Sequence, residues 1–240
     1  MIAAMQAALP RASAVIVGEP SRMGVVTGHK GGSGFRVHVK GHEVHSSLLP
    51  QGVSAIMEAA RLIGWANAQN VVLQSAAPSA VAALFDPPFT TLHCGMIAGG
   101  TAHNITAADC RFSFEYRVVP DESKDDWEAR FRAECAGLER AMQAVHPGCA
   151  VHAERYFTLP PLAPETAGEA EALARALTGD NAQRTVSYGT EAGHFQAAGY
   201  SAAVCGPGDI AQAHQADEYI EASEMAAGEG FMRRLLDRLA

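Results

Sequence analysis

Four apolar residues in a row, Ala14-Val15-Ile16-Val17, stop at Gly18 and hand straight over to Glu19. So short a run, with no polar residue alternating through it, marks a strand buried on both faces, and such strands belong to parallel sheets covered by helices. The chain is therefore expected to begin in an α/β layer. In open α/β sheets sites are built at the carboxyl ends of the strands, which is where Glu19 stands. The same texture returns late in the chain. Residues 166–177 read as a helix, 201–205 as a second short apolar strand and 221–239 as an amphipathic closing helix. Residues 1–12 read as a short helix ended by Leu9-Pro10.

Between these stretches the pattern changes. Gly28, Gly31, Gly32 and Gly34 read as a flexible crossing and a domain boundary. Phe35, Val37 and Val39 then alternate with Arg36, His38 and Lys40, a half-exposed strand of period two. A polar loop over 41–52 leads into a helix over 53–68, with Ile56, Ala59, Ala60 and Ile63 on one face. Residues 90–98 and 110–119 are two further strands, the second alternating Phe112, Phe114, Tyr116 and Val118. Asp121 is expected to cap a helix with Ser123, Asp125 and Asp126 in its first turn, carrying Trp127, Phe131, Leu138 and Met142 and ending near His146-Pro147-Gly148. Residues 149–157 form a last strand. Strand–helix–strand–strand–helix–strand is the split βαβ, ferredoxin-like order of an α+β unit. The expected organisation is thus one α/β domain, 1–28 and 155–240, interrupted by an inserted α+β unit over 29–154.

Composition narrows the partners. Lys and Arg number 18 against 26 Asp and Glu, a net charge of −8, with no basic cluster. This argues against nucleic acid or an anionic membrane as the main partner. Apolar runs such as 76–85 fall short of the roughly 20 residues that span a bilayer. The opening Met1-Ile2-Ala3-Ala4-Met5-Gln6 carries no positive segment of the kind that starts a signal peptide. Five cysteines without a CxxC pair suggest neither a disulfide framework nor a thiolate zinc site. A reduced, cytoplasmic protein is expected.

The candidate functional residues stand in loops more than on periodic faces. Glu19 in Gly18-Glu19-Pro20-Ser21 and His214, reached through Gly206-Pro207-Gly208, offer carboxylate oxygen and imidazole nitrogen, both metal-ligand types. A salt-bridged glutamate and a surface histidine are the plain alternatives. His45, in Gly41-His42-Glu43-Val44-His45-Ser46-Ser47, could donate to a developing oxyanion or simply brace its loop. His42 lies three residues before it, but a flexible loop fixes no chelating geometry. Asn104 and Arg117 could hold a substrate carboxylate, or Arg117 could point outward from an edge strand. Glu191, in Gly189-Thr190-Glu191-Ala192-Gly193, could face a cationic substrate group or be an ordinary helix-initiating acid.

Taken in order, these strings resemble the M20 family of metallo-aminoacylases and metallopeptidases. Gly18-Glu19-Pro20-Ser21, Gly28-His29-Lys30-Gly31, Gly41 through His45-Ser46-Ser47, and Pro50 through Gly52-Val53 come first. His103-Asn104-Ile105, Arg117 before Pro120, Gly189-Thr190-Glu191-Ala192-Gly193, Gly206-Pro207-Gly208 and Ala213-His214 through Asp217-Glu218-Tyr219-Ile220 follow. They cover essentially the whole chain. The resemblance, strongest to members that deacetylate N-acetylornithine in arginine biosynthesis, implies a zinc-aminopeptidase-like catalytic α/β domain with an inserted lid that also mediates homodimerisation. It implies a two-zinc amide hydrolase, with cobalt as an alternative metal, acting on an N-acyl amino acid. Glu19 and His214 would be terminal ligands of the two metals, and His45 would stabilise the oxyanion, reaching across to the partner subunit. Asn104 and Arg117 would bind substrate, and the 189–193 loop would shape the specificity pocket. The family's remaining ligands and its general base lie upstream of the Gly-Glu-Pro string, where this chain has 18 residues without Asp, Glu or His. The chain is accordingly expected to be an N-terminally truncated form, partial in its catalytic domain and inactive alone. Related desuccinylases and aminoacylases, and a non-catalytic dimerising or binding module, are the alternatives.

Overall fold

The computed structural model describes residues 11–213 and 215–240. The expected helix over 1–12, all but its last two residues, and His214 lie outside the described residues. Strands β1 (Ala14–Val17) and β9 (Ser201–Val204) pair in parallel, Ala14 opposite Ser201 and Val17 opposite Val204. Helices α3 (Glu169–Thr178) and α5 (Ala222–Leu239) contribute Ala174, Leu177 and Phe231 to a core with Val25 and Cys205. Helix α4 (Ala192–Ala197) contributes Ala192 to a second core with Val26, Leu162, Ala202 and Val204. Ile16 of β1 packs against the first core and Val15 and Val17 against the second, but all four β1 residues are only half-buried, so the strand expected to be buried on both faces has apolar neighbours on each without being enclosed.

The stretch between holds an antiparallel sheet in the order β4-β6-β3-β7, with β5 also on β6. Its strands are β3 (Gly31–Lys40), β4 (Thr91–His93), β5 (Ile97–Gly99), β6 (Asp109–Val118) and β7 (Ala150–Leu159). Helices α1 (Ala55–Ser75) and α2 (Lys124–Gln143) cover one face. Alternation decides which side chains meet them: Phe35, Val37 and Val39 from β3 and Phe112, Phe114 and Tyr116 from β6 are buried. Phe131 of α2 stacks on Phe114 at 3.9 Å between ring centroids. Arg36, His38 and Arg111 occupy the opposite, open face.

Three local expectations are corrected. The strand expected over 90–98 is split into β4 and β5, because residues 94–96 leave the ladder between them. Helix α2 is capped by Ser123, whose hydroxyl accepts from the Asp126 N–H at 3.1 Å, and not by Asp121. The glycine-rich crossing, expected as a flexible connection, is regular strand. Gly31, Gly32 and Gly34 are buried inside β3, where a Cβ at Gly32 would come within 2.3 Å of the Tyr116 carbonyl oxygen and one at Gly31 within 2.6 Å of the Pro161 nitrogen. These glycines are there for close approach. The incoming and outgoing segments run side by side, His29 and Leu162 exchanging both backbone hydrogen bonds at 3.0 Å. The short parallel pair of β2 (Gly28–His29) with β8 (Thr185–Val186) completes this double crossing.

Candidate functional site

The carboxyl ends of β1 and β9 are stitched together by Ser21. Its N–H donates to the Gly206 carbonyl at 3.1 Å, its hydroxyl donates to the Gly24 carbonyl at 2.8 Å and accepts from the Gly206 N–H at 3.0 Å. Arg22 N–H donates to the Gly208 carbonyl at 2.7 Å. A Cβ on Gly206 would lie 2.4 Å from the Gly18 carbonyl, so only glycine lets the second loop close over the first. Arg22 and Met23 follow in the left-handed region, φ 52° and 55°, a strained pair held by these bonds. The Arg22 guanidinium pairs with Asp209, whose carboxylate also accepts from the Ala211 N–H at 3.0 Å and caps the 3-10 turn Ile210–Gln212. Those two donors hold the Asp209 carboxyl below its ordinary value. Glu19 and the segment leading to His214 thus start from one braced edge.

The 188–193 loop reaches the same edge. The Tyr188 hydroxyl donates to the Pro20 carbonyl at 3.4 Å, and burial pushes its phenol up, with Glu19 and Asp209 adding in the same direction. Glu191 opens α4 with its side chain exposed. Behind the loop stands a residue to which sequence reasoning gave no role, His29. It is fully buried; its Nδ1 lies 2.9 Å from the Lys30 carbonyl, and its Nε2 is approached by the N–H groups of Gly193 at 3.1 Å and Thr190 at 3.4 Å. Lys30, also fully buried, donates from Nζ to the Pro87 and Phe89 carbonyls at 2.7 Å each. The only sequence signal for either was their place inside a glycine-flanked string.

His45 and Asn104 are brought together elsewhere. Ser46 N–H donates to the Asn104 carbonyl at 2.9 Å, and His45 bridges to Ile105. The His45 Nδ1 lies 3.3 Å from the Ser47 N–H and 2.8 Å from the Ser47 hydroxyl, so Ser47 engages one ring nitrogen of an exposed residue and leaves Nε2 to face outward partners. His42 is no partner for His45: it stacks on His146 at 3.7 Å between ring centroids. Arg117 sits on β6 between β4 and β3, an interior strand and not an edge. Its guanidinium lies over Phe157, 5.4 Å from the ring centroid, and pairs with Glu115 at 3.2 Å. It pairs in register with Gly32, beside the crossing, while His45 and Asn104 follow the far end of β3. Ten residues of strand put those ends about 30 Å apart.

Among the described residues no group of three or more His, Cys, Asp or Glu side chains is placed to hold a metal ion. The described donors therefore do not fit a complete two-metal centre: Glu19 offers one carboxylate, and His214 is not described. No helix among the described residues is long and apolar enough to cross a membrane.

Residues 27–142 match the peptidase dimerisation domain of the M20 family. Acetylornithine deacetylase of Myxococcus xanthus is 34% identical over 235 residues, 96% of this chain and 58% of that protein. N-acetyl-L-citrulline deacetylase of Xanthomonas campestris pv. campestris is 30% identical over 219 residues, 88% of this chain and 55% of that protein. The chain thus spans little more than half the length of these relatives. The crystal structure of aminopeptidase PepT from Bacillus cereus superposes with a TM-score of 0.67 at 17% identity, over 90% of this chain and 54% of that one, a likeness of fold.

Proposed function

Because the chain belongs to the M20 family, we propose that it carries part of the active site of an amide hydrolase that removes the acetyl group from N-acetylornithine. The observation that supports this most directly is the Ser21–Gly206 stitch, which starts Glu19 and the segment leading to His214 from one sheet edge. In this reading Glu19 and His214 each supply a terminal ligand to one of two zinc ions, cobalt being the alternative. A metal of this kind contributes Lewis acidity and an acidified water. The chain's own residues bind and orient the substrate. Arg117 takes its carboxylate together with Asn104 from a second copy, Glu191 faces its side-chain ammonium, and His45 from that second copy serves the oxyanion.

The inserted unit is proposed to span 29–154 and to be a ferredoxin-like lid, a reading supported by its strand order and antiparallel register. It is also the proposed homodimer contact. Met96 and Ile97, at and beside β5, are 73% and 53% exposed, and Val71 and Val72 on α1 are 66% and 62% exposed. The length of β3 between His45 and the crossing favours His45 and Asn104 serving the site of a second copy. The five cysteines are free, which fits a reducing cytoplasm.

Metal stoichiometry after dialysis, followed by N-acetylornithine hydrolysis with added zinc, tests the reading. The 240-residue chain alone should hold at most one weakly bound zinc and turn over no substrate. Two tightly held zinc ions, or a rate abolished by Glu19→Ala, would show that the site is completed within the chain. Joined to the further length its relatives have, it should hydrolyse N-acetylornithine and lose that activity with Glu19→Ala. A preference for succinyl over acetyl substrates would favour the desuccinylase alternative.

A further inference from the structure

His29 is pinned from both sides. Its backbone exchanges hydrogen bonds with Leu162 and pairs in register with Val186 on β8, so the strand leading into the 187–193 loop runs alongside it. Its ring then reaches the far end of that loop, with Nε2 facing the N–H groups of Thr190 and Gly193. Two N–H groups aimed at one nitrogen require it to be an unprotonated acceptor. The ring proton must therefore sit on Nδ1, where it is donated to the Lys30 carbonyl 2.9 Å away. The loop is shaped to this ring. A Cβ at Gly193 would come 3.0 Å from His29 Cε1 and 2.1 Å from the Pro160 carbonyl oxygen, and one at Gly189 would come 2.0 Å from Leu159 Cδ2. Glu191 lies between the two N–H groups, with its own side chain exposed.

We propose that His29 is the positioning residue of the 189–193 loop: its Nε2 gathers the Thr190 and Gly193 N–H groups and thereby fixes where Glu191 points. Selectivity for a cationic over a neutral N-acyl amino acid then depends on a residue that never touches either. This consequence rests on the reading of the loop given above; the positioning itself does not.

Protonation would turn Nε2 into a third donor facing two others and release the loop. Burial resists that charge and His194 adds to the resistance, while the hydrogen bonds to the backbone of Lys30 and Thr190 and the charge of Glu191 oppose it without reversing it. The Lys30 ammonium faces away, held on the carbonyls of Pro87 and Phe89. Release is therefore expected on acidification below the ordinary imidazole value of about 6.5.

The test follows the Thr190 and Gly193 amides by nitrogen-15 NMR in the 240-residue chain, between about pH 8 and pH 5. His29→Phe should speed exchange at both by on the order of ten-fold, and His29→Gln, whose carbonyl can accept one N–H, should restore part of the protection. The wild-type amides should lose protection in a single-proton titration that neither variant shows. Calorimetry with N-acetyl-L-ornithine and N-acetyl-L-norvaline reads the consequence: the wild type prefers the first, and His29→Phe loses about ten-fold of that preference. Unchanged exchange in His29→Phe, or an amide titration that persists without the imidazole, overturns the proposal. If the amides behave as expected but the wild type shows no preference, the positioning stands and the assignment of the pocket fails. Should His29→Phe not fold, the wild-type titration and His29→Gln decide.

Discussion

Gly206 and Lys30 show how much a single position can determine. Adding one methyl at Gly206 sets it 2.4 Å from the Gly18 carbonyl and 2.6 Å from that of Glu19. Gly206→Ala is expected to cost about 1–3 kcal/mol in urea unfolding and to displace Glu19. An unchanged midpoint would mean the two loops are looser than they look. Lys30 makes a prediction of opposite origin. Burial pushes its ammonium from 10.5 down to about 8, against the pull of Asp86 and Glu122. Between those values the unfolded chain binds the proton that the native chain has released, so native stability must rise with pH across that window. Relative to Lys30→Met, the wild-type urea midpoint should therefore climb from about pH 8 towards pH 10 and stay level below it; a fall would contradict the burial. Glu19, His45 and Asn104 stood out in the sequence because they lie in strings with turn chemistry around them. His29 and Lys30 did not, since their partners lie up to 164 residues away and a polar pair between glycines reads as an exposed crossing.

At the scale of elements, α2 and α1 contrast. Helix α2 turns Trp127, Phe131, Cys135, Leu138 and Met142 to the sheet and the rest of its surface to water, so its periodicity was plain. Helix α1 buries only Ala55, Ala59, Leu62 and Ala66 while leaving Met57, Val71 and Val72 exposed. Apolar surface on both sides blurs the periodic signal, and the helix runs on past the 68 expected from the sequence to Ser75. A second surface must cover that outer side if it is to be shielded from water. Val71→Glu together with Val72→Glu should shift sedimenting mass from dimer to monomer with far-ultraviolet circular dichroism unchanged. A dimer that survives both charges would place the contact elsewhere. The division of β4 from β5 had no comparable signal, because a break of three residues in a short apolar strand alters neither composition nor alternation enough to register.

For the whole molecule, the order of elements was legible and the junction was not. Short apolar runs and alternating strands identify which segments belong to which layer, whatever they touch. How two layers join depends on contacts distant in sequence, such as Gly31 against Pro161 and His29 against Leu162. That junction bears on how such a protein could change over time. Paired residues that exchange both hydrogen bonds sit about 5.5 Å apart at their Cα atoms. Everything between His29 and Leu162, which is the proposed 29–154 unit together with the rest of β7 to Leu159 and the two residues after it, therefore leaves and re-enters through a single doorway little wider than one peptide. A cassette mounted in this way can be lengthened, replaced or removed without rethreading the parallel strands beneath it. The layer that holds Glu19 and the sheet that carries His45 are free to diversify at different rates, provided the few side chains at the doorway, His29 and Lys30 among them, keep both sides in step.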